Sequence, residues 1–216
     1  MYRVDEITKT RLLSLPESGV GYQIVMITHL NNKKQKYVII NATYAIPYHK
    51  YSKEILSKLN NIYFNNTLND IGEIELVKKT KILKAAGLNK ISKNDSLGAK
   101  DAEIEYTRND EEFIRFSPFE DDFRIDRNNN KVLPGTFATT LLDGQKCINE
   151  NIDIIDRYAL PSEREIMYAF YINPISNTEI KRGVVQPDYG KKGGGEEVIF
   201  PSGTSDNTVG KIKKLR

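Results

Sequence analysis

Gly193-Gly194-Gly195-Glu196-Glu197-Val198-Ile199-Phe200-Pro201 is the stretch of this chain best suited to chemistry. Three consecutive glycines bring maximal backbone freedom and no side-chain packing. Two adjacent carboxylates follow, then an apolar run of strand character over Val198–Phe200. A loop that lets backbone approach a ligand, then a carboxylate at the mouth of a strand, is the geometry of a site and a poor recipe for stability alone. Successive residues on an extended segment point to opposite faces, so only one of Glu196 and Glu197 can serve a given cleft. Glu197 is the one that directly abuts the strand.

Three earlier groups of residues add to it. Arg115 sits in Phe113-Ile114-Arg115-Phe116. An arginine between apolar residues on a short strand is either surface alternation or a buried anion clamp. Thr136, Thr139 and Thr140 lie in GTFATT, and are either ordinary strand residues or hydroxyls beside a site. Tyr168 and Tyr171 lie in IMYAFYI and Tyr189 in QPDYG; each is a core residue or a ring that stacks on a ligand.

Other chemistries find less support. With two histidines and one cysteine there is no zinc-type spacing, so no metal is expected. Glu120-Asp121-Asp122 reads as an exposed acidic turn in preference to a Mg²⁺ site. A Ser-His-Asp triad lacks a nucleophile elbow. The glycine run has neither the spacing nor the following helix of a P-loop or dinucleotide fingerprint.

The elements that must position these residues fall into two groups. In the first, Gly21–Ile27 and Lys36–Ile40 form a hairpin across Asn31–Lys34, and Ala42–Ile46 prolongs the second strand until Pro47. Tyr51–Tyr63 has helical spacing, Ile74–Val77 reads as a strand, and Lys79–Ala86 reads as a helix ended by Gly87. Residues 87–101, rich in Gly, Asn, Ser and Lys, are the expected boundary or mobile loop. In the second group, Glu112–Phe116 is a strand, Arg127–Asn130 a turn, and Gly135–Leu141 a strand. Asp143–Tyr158 is one helix broken by Pro161, and Ile166–Ile172, Gly183–Val185 and Val198–Phe200 are strands. Many strands with a few helices out of strict alternation predict an α+β fold. The expected units are a small α+β domain at 1–100, recruiting or regulatory, and a site-bearing domain at 101–216.

Composition bounds the function. The 216 residues are 39% hydrophobic and 28% charged, which suits a globular chain with a substantial core. A net charge of +3 is weak support for a nucleic-acid partner. The charge is uneven: residues 31–100 carry thirteen lysines against five acids, and 101–130 carry ten acids against four arginines. The lysine-rich front half is either a solvated surface or a face for a polyanion. Cys147 alone cannot form an intramolecular disulfide, which fits a reducing compartment. No apolar run spans a membrane and the N-terminus lacks a leader-like apolar region, so the expected location is the cytoplasm, or the cytoplasm of a cell into which the protein is delivered.

The order of an arginine strand, a threonine-rich strand and a glutamate directly before an apolar strand resembles the ADP-ribosyltransferase superfamily. Glu197-Val198-Ile199-Phe200-Pro201 is similar to the catalytic glutamate strand of its arginine–serine–glutamate branch. Arg115 stands as the first-strand arginine, and Thr139 or Thr140 near the hydroxyl position. Residues 113–204 also resemble the tuberculosis necrotizing toxin family of NAD glycohydrolases. The likeness rests on Ala159-Leu160-Pro161, Tyr168-Ala169-Phe170-Tyr171, Gln186-Pro187-Asp188-Tyr189-Gly190 and the glycine run. Here Ala169 replaces that family's strand histidine and Glu197 its glutamine, and Arg115-Phe116 lacks the glycine that follows there.

The resemblance implies a split-sheet α+β domain that consumes NAD as a substrate, as a toxin or defence effector. It would transfer ADP-ribose to a protein or nucleic-acid acceptor, or hydrolyse NAD, with a cognate inhibitor as a further partner. Glu197, Arg115 and Thr139 would be catalytic; Arg115, Thr136, Thr140, Tyr168, Tyr171, Tyr189, Gly194 and Gly195 would hold NAD. Arg115 and Glu197 are expected to share a cleft, with the guanidinium as a planar clamp for pyrophosphate. A metal-independent nuclease toxin and a non-catalytic interaction module are the alternatives.

Overall fold

The computed structural model describes residues 1–15, 17–18, 20–51, 66–77, 99–160, 164–188 and 190–215. The helices expected at Tyr51–Tyr63 and Lys79–Ala86, and most of the loop expected at 87–101, lie outside the described residues. Within them the α+β class holds: two large antiparallel sheets carry a few short helices.

The first sheet has the order β1-β4-β3-β2-β5, with β1 at Tyr2–Arg3, β2 at Tyr22–His29, β3 at Lys34–Ile40, β4 at Tyr44–Pro47 and β5 at Ile71–Leu76. The expected β2–β3 hairpin forms, with Tyr22 opposite Ile40 and Thr28 opposite Lys34. Ala42–Ile46 does not prolong β3. Asn41 and Ala42 both take left-handed backbone (φ 47° and 48°), and the chain reverses so that β4 pairs back on β3. Helix α1 (Glu6–Leu13) is N-capped by Asp5, whose carboxylate accepts the Thr8 N–H at 2.7 Å. Leu12 joins Val25, Ile27, Tyr37, Ile39 and Ala45 in the core on one face.

The second sheet has seven strands in the order β14-β11-β7-β10-β13-β12-β6. These are β6 at Ala99–Tyr106, β7 at Phe113–Ser117, β10 at Thr136–Thr140, β11 at Tyr168–Ile172, β12 at Glu179–Val185, β13 at Glu196–Phe200 and β14 at Val209–Lys214. A small hairpin, β8 (Ile125–Asp126) with β9 (Lys131–Val132), turns through the expected Arg127–Asn130. The expected single helix at 143–158 is two: α2 at Leu141–Asn149 and α3 at Ile154–Arg157. Asn151 has φ 54° and Asp153 caps α3 anew, so local turn and cap chemistry overrides the apolar periodicity. One face of the sheet packs Phe113, Phe170, Val198 and Phe200; the other packs Ile114, Phe116 and Ala169 against Cys147 and Tyr158 of the helical side.

Strand β10 forks this sheet. Its first half, Thr136–Ala138, pairs with β13, whereas Thr139 and Thr140 pair with β7. The edge of Phe137 that faces β7 is therefore free of strand partners, and side chains fill the fork.

The boundary expected at 100/101 falls inside β6, and the two units are knitted together. Phe123 completes the first sheet's core. The Asn41 side-chain oxygen accepts the Phe123 N–H at 2.9 Å, and Arg124 donates to the carbonyl of Leu15 at 2.9 Å. Among the described residues no helix is long and apolar enough to cross a membrane.

Candidate functional site

A cleft of about 70 Å³ opens on the Ile114 face of the second sheet, at the fork. Its walls are apolar: Val20, Ile114, Phe116, Phe137, Leu160 and Val185. Its polar groups are Ser18, Thr139, Tyr158, Gln186, Asp188 and Glu197. Two of these are carboxylates, and no Lys, Arg or His is among the described lining residues.

Strand alternation decides which groups reach it. Thr139 lies opposite Ile114 and Phe137 opposite Ile199, so Glu197, two residues before Ile199, emerges on the same face as Ile114. Glu197 is half-buried and lines the cleft. Glu196 is exposed, and its carboxylate accepts the Thr140 hydroxyl at 2.6 Å. Glu197, and not Glu196, is thus the carboxylate of this pair that lines the cleft.

Arg115 does not share that cleft. It leaves β7 on the face opposite Ile114 and Phe116, and is 1% exposed. Its guanidinium is used up: it donates to both carboxylate oxygens of Glu17 (2.7 and 3.0 Å), to Asp122 (3.1 Å) and to the Phe137 carbonyl (3.0 Å). Burial alone would drive the guanidinium toward neutrality; the charges of Asp122 and Glu17 more than offset this and hold it above its ordinary pKa. Glu17 also accepts the Phe137 N–H at 3.4 Å. The pair thus supplies the partners that the forked strand lacks, and Arg115 is a structural brace, not a pyrophosphate clamp. The acidic turn is likewise only partly exposed, because Asp122 is buried in this cluster.

The glycine run is a brace too. The N–H groups of Gly193, Gly194 and Gly195 donate to the carbonyls of Asp156, Val185 and Arg157, so they form no anion cradle. Gly193 has φ 68°, and a Cβ there would sit 2.6 Å from the Val185 carbonyl oxygen. A Cβ on Gly195 would lie 2.4 Å from the Tyr158 ring. The close approach these glycines permit is that of the protein to itself.

The remaining candidates divide. Thr139 is buried in the cleft floor beside the Tyr158 hydroxyl. Thr136 is buried and donates to the Leu133 carbonyl. Thr140 caps α2. Tyr168 lies on the Arg115 face, its hydroxyl 3.4 Å from Glu120. Tyr171 packs against the apolar cluster of the cleft side without lining the cleft. Tyr189 lies outside the described residues. Among the described residues no cluster of three or more His, Cys, Asp or Glu is placed to hold a metal.

Sequence reasoning missed a polar network under the cleft. Asp143 accepts Arg157 Nε at 3.2 Å, the Tyr158 hydroxyl at 2.8 Å and the Glu196 N–H at 3.1 Å. Burial pushes its carboxyl up, but these hydrogen bonds and the Arg157 charge outweigh that and hold it below the usual range. Burial raises the Tyr158 hydroxyl and the Cys147 thiol. Thr140 followed three residues later by an acid is a capping signature, the one local sign of Asp143. Nothing local marks Glu17. Compared with known protein families, curated proteins and solved structures, the chain matches none.

Proposed function

We propose that the cleft binds a small planar cation and that the protein consumes NAD there, as a member of the ADP-ribosyltransferase superfamily, by transfer of ADP-ribose or by hydrolysis. The observation that carries this is the lining: apolar walls, the carboxylates of Glu197 and Asp188, and no basic side chain among the described lining residues. Such a cleft favours positive charge. Oxidised NAD carries a positive nicotinamide ring, and breaking its bond to ribose develops positive charge on the sugar. Glu197, half-buried and fixed on a strand among apolar walls, stabilises that charge without reorganising; glycosidase carboxylates act on the same kind of charge. Apolar walls exclude water and accept the ring. Arg115 takes no part in holding substrate on this reading.

The test is NAD consumption by the purified chain, with mass analysis of added proteins and nucleic acids to separate transfer from hydrolysis. Glu197→Gln is expected to lower turnover a hundredfold or more, the loss typical for a preorganised electrostatic group, and to spare NAD binding. Glu196→Gln is expected to retain activity. Equal activity in the wild type and Glu197→Gln refutes the reading.

A second reading, a non-catalytic interaction module, is favoured by the use of Arg115 and the glycine amides within the protein itself. Absence of NAD turnover with intact RNA supports it; RNA loss at constant NAD supports a nuclease.

A further inference from the structure

We propose that Asp143 is a positioning residue for Glu197, standing in for a missing strand. β13 has β12 on one side along the whole of Glu196–Ile199, with Glu197 opposite Gly183 and Glu196 opposite Val184. On its other side β10 accompanies only Val198–Phe200. Continued in register, β10 would set Thr139 and Thr140 opposite Glu197 and Glu196, but these two residues pair with β7 instead and the chain then enters α2. The first two residues of β13, which include the working carboxylate, therefore lack one strand neighbour.

Asp143, in the first turn of α2, takes that place. Its Oδ2 accepts the Glu196 N–H at 3.1 Å, the bond a strand carbonyl would otherwise make. The same oxygen accepts the Tyr158 hydroxyl at 2.8 Å, and Arg157 grips the carboxylate from the other side. Thr140 Oγ1 completes the substitution by donating to the Glu196 carboxylate at 2.6 Å. The Tyr158 ring packs where a Gly195 side chain would be, which pins the residue before. Backbone held at Gly195 and Glu196 fixes the direction in which Glu197 enters the cleft. Loss of the Asp143 charge releases that direction while the remainder of β13 stays in its ladder.

This inference rests on Glu197 being the working group, and its test separates the two. Asp143→Asn and Tyr158→Phe are compared with the wild-type chain in steady-state NAD turnover, in thermal melts and in NMR of the Glu196 amide and the Glu197 side-chain carboxyl carbon. The expected result is a kcat lower by about ten- to a hundredfold at nearly constant KM, since misplacement by about 1 Å costs about a hundredfold. The Glu196 amide proton is expected to move upfield as its charged acceptor is lost, and the Glu197 carboxyl resonance to shift. Tyr158→Phe, which keeps the ring, gives the answer if Asp143→Asn does not fold. Lowered melting temperatures with unchanged kcat overturn the proposal and leave Asp143 a purely structural residue. If the wild type turns over no NAD, the functional reading fails, and the Glu197 resonance alone decides: a shift in the variants upholds the positioning role, and none overturns it.

Discussion

Glu17→Gln is the sharpest test of how the forked sheet is held. Glu17 has no solvent exposure and binds Arg115 through both oxygens, at 2.7 and 3.0 Å, from 98 positions away in sequence. Two arginines, Arg115 and Arg124, and two carboxylates, Glu17 and Asp122, are buried together. The substitution removes one negative charge and leaves this cluster with a net positive charge. Breaking a buried pair in this way costs about 3–5 kcal/mol. The glutamine oxygen can still accept one guanidinium N–H, so the lower end, about 3 kcal/mol, is expected. At about 2–4 °C per kcal/mol for a chain of this size, the melting temperature falls by about 6–12 °C. The chain has no tryptophan and twelve tyrosines, so urea unfolding is followed by far-UV circular dichroism and tyrosine fluorescence. Both probes should move together, because Glu17 ties the first unit to the second. Asp122→Asn should be non-additive with it, since both carboxylates serve Arg115. A loss below about 1 kcal/mol, or a separate unfolding transition for one unit that ignores the substitution, refutes the reasoning.

Beside the activity of the Glu197 and Asp143 variants, three further outcomes are expected. Gly195→Ala should destabilise by about 1–3 kcal/mol through overpacking against the Tyr158 ring. Gly194→Ala, at φ 89° with open space around it, should cost about 1–2 kcal/mol through left-handed strain alone; chemical denaturation of both variants checks the order. The lowered carboxyl of Asp143 contributes stability present above its unfolded value, about 3.9, and lost as pH falls through the folded value. Acid titration of wild type and Asp143→Asn should therefore show the two curves separated at neutral pH and converging below about pH 4.

Local chemistry along the chain determined the elements that recur by pattern: the β2–β3 hairpin from two β-branched runs around a polar loop, the strands at β7, β11 and β13, and the turn at Arg127–Asn130. That only one of Glu196 and Glu197 can face a given cleft follows from the sequence too, because strand alternation is a property of the backbone alone; which of them does was decided by the register of β13 on β10. The break between α2 and α3 and the separation of β4 from β3 were not legible, since each depends on a non-glycine residue held at positive φ. What Arg115 does was decided only by the tertiary structure. An arginine on an apolar strand fits a clamp or a brace equally well, and a carboxylate arriving from Glu17 chose the brace. The glycine run was ambiguous in the same way: its freedom serves close approach, and only packing shows that the approaching groups are Tyr158 and the Val185 carbonyl. A fork in a sheet leaves backbone polar groups that must find partners; Glu17 and Arg115 at Phe137 and Asp143 at Glu196 are brought there by the tertiary fold, and no local pattern pairs them with the groups they satisfy.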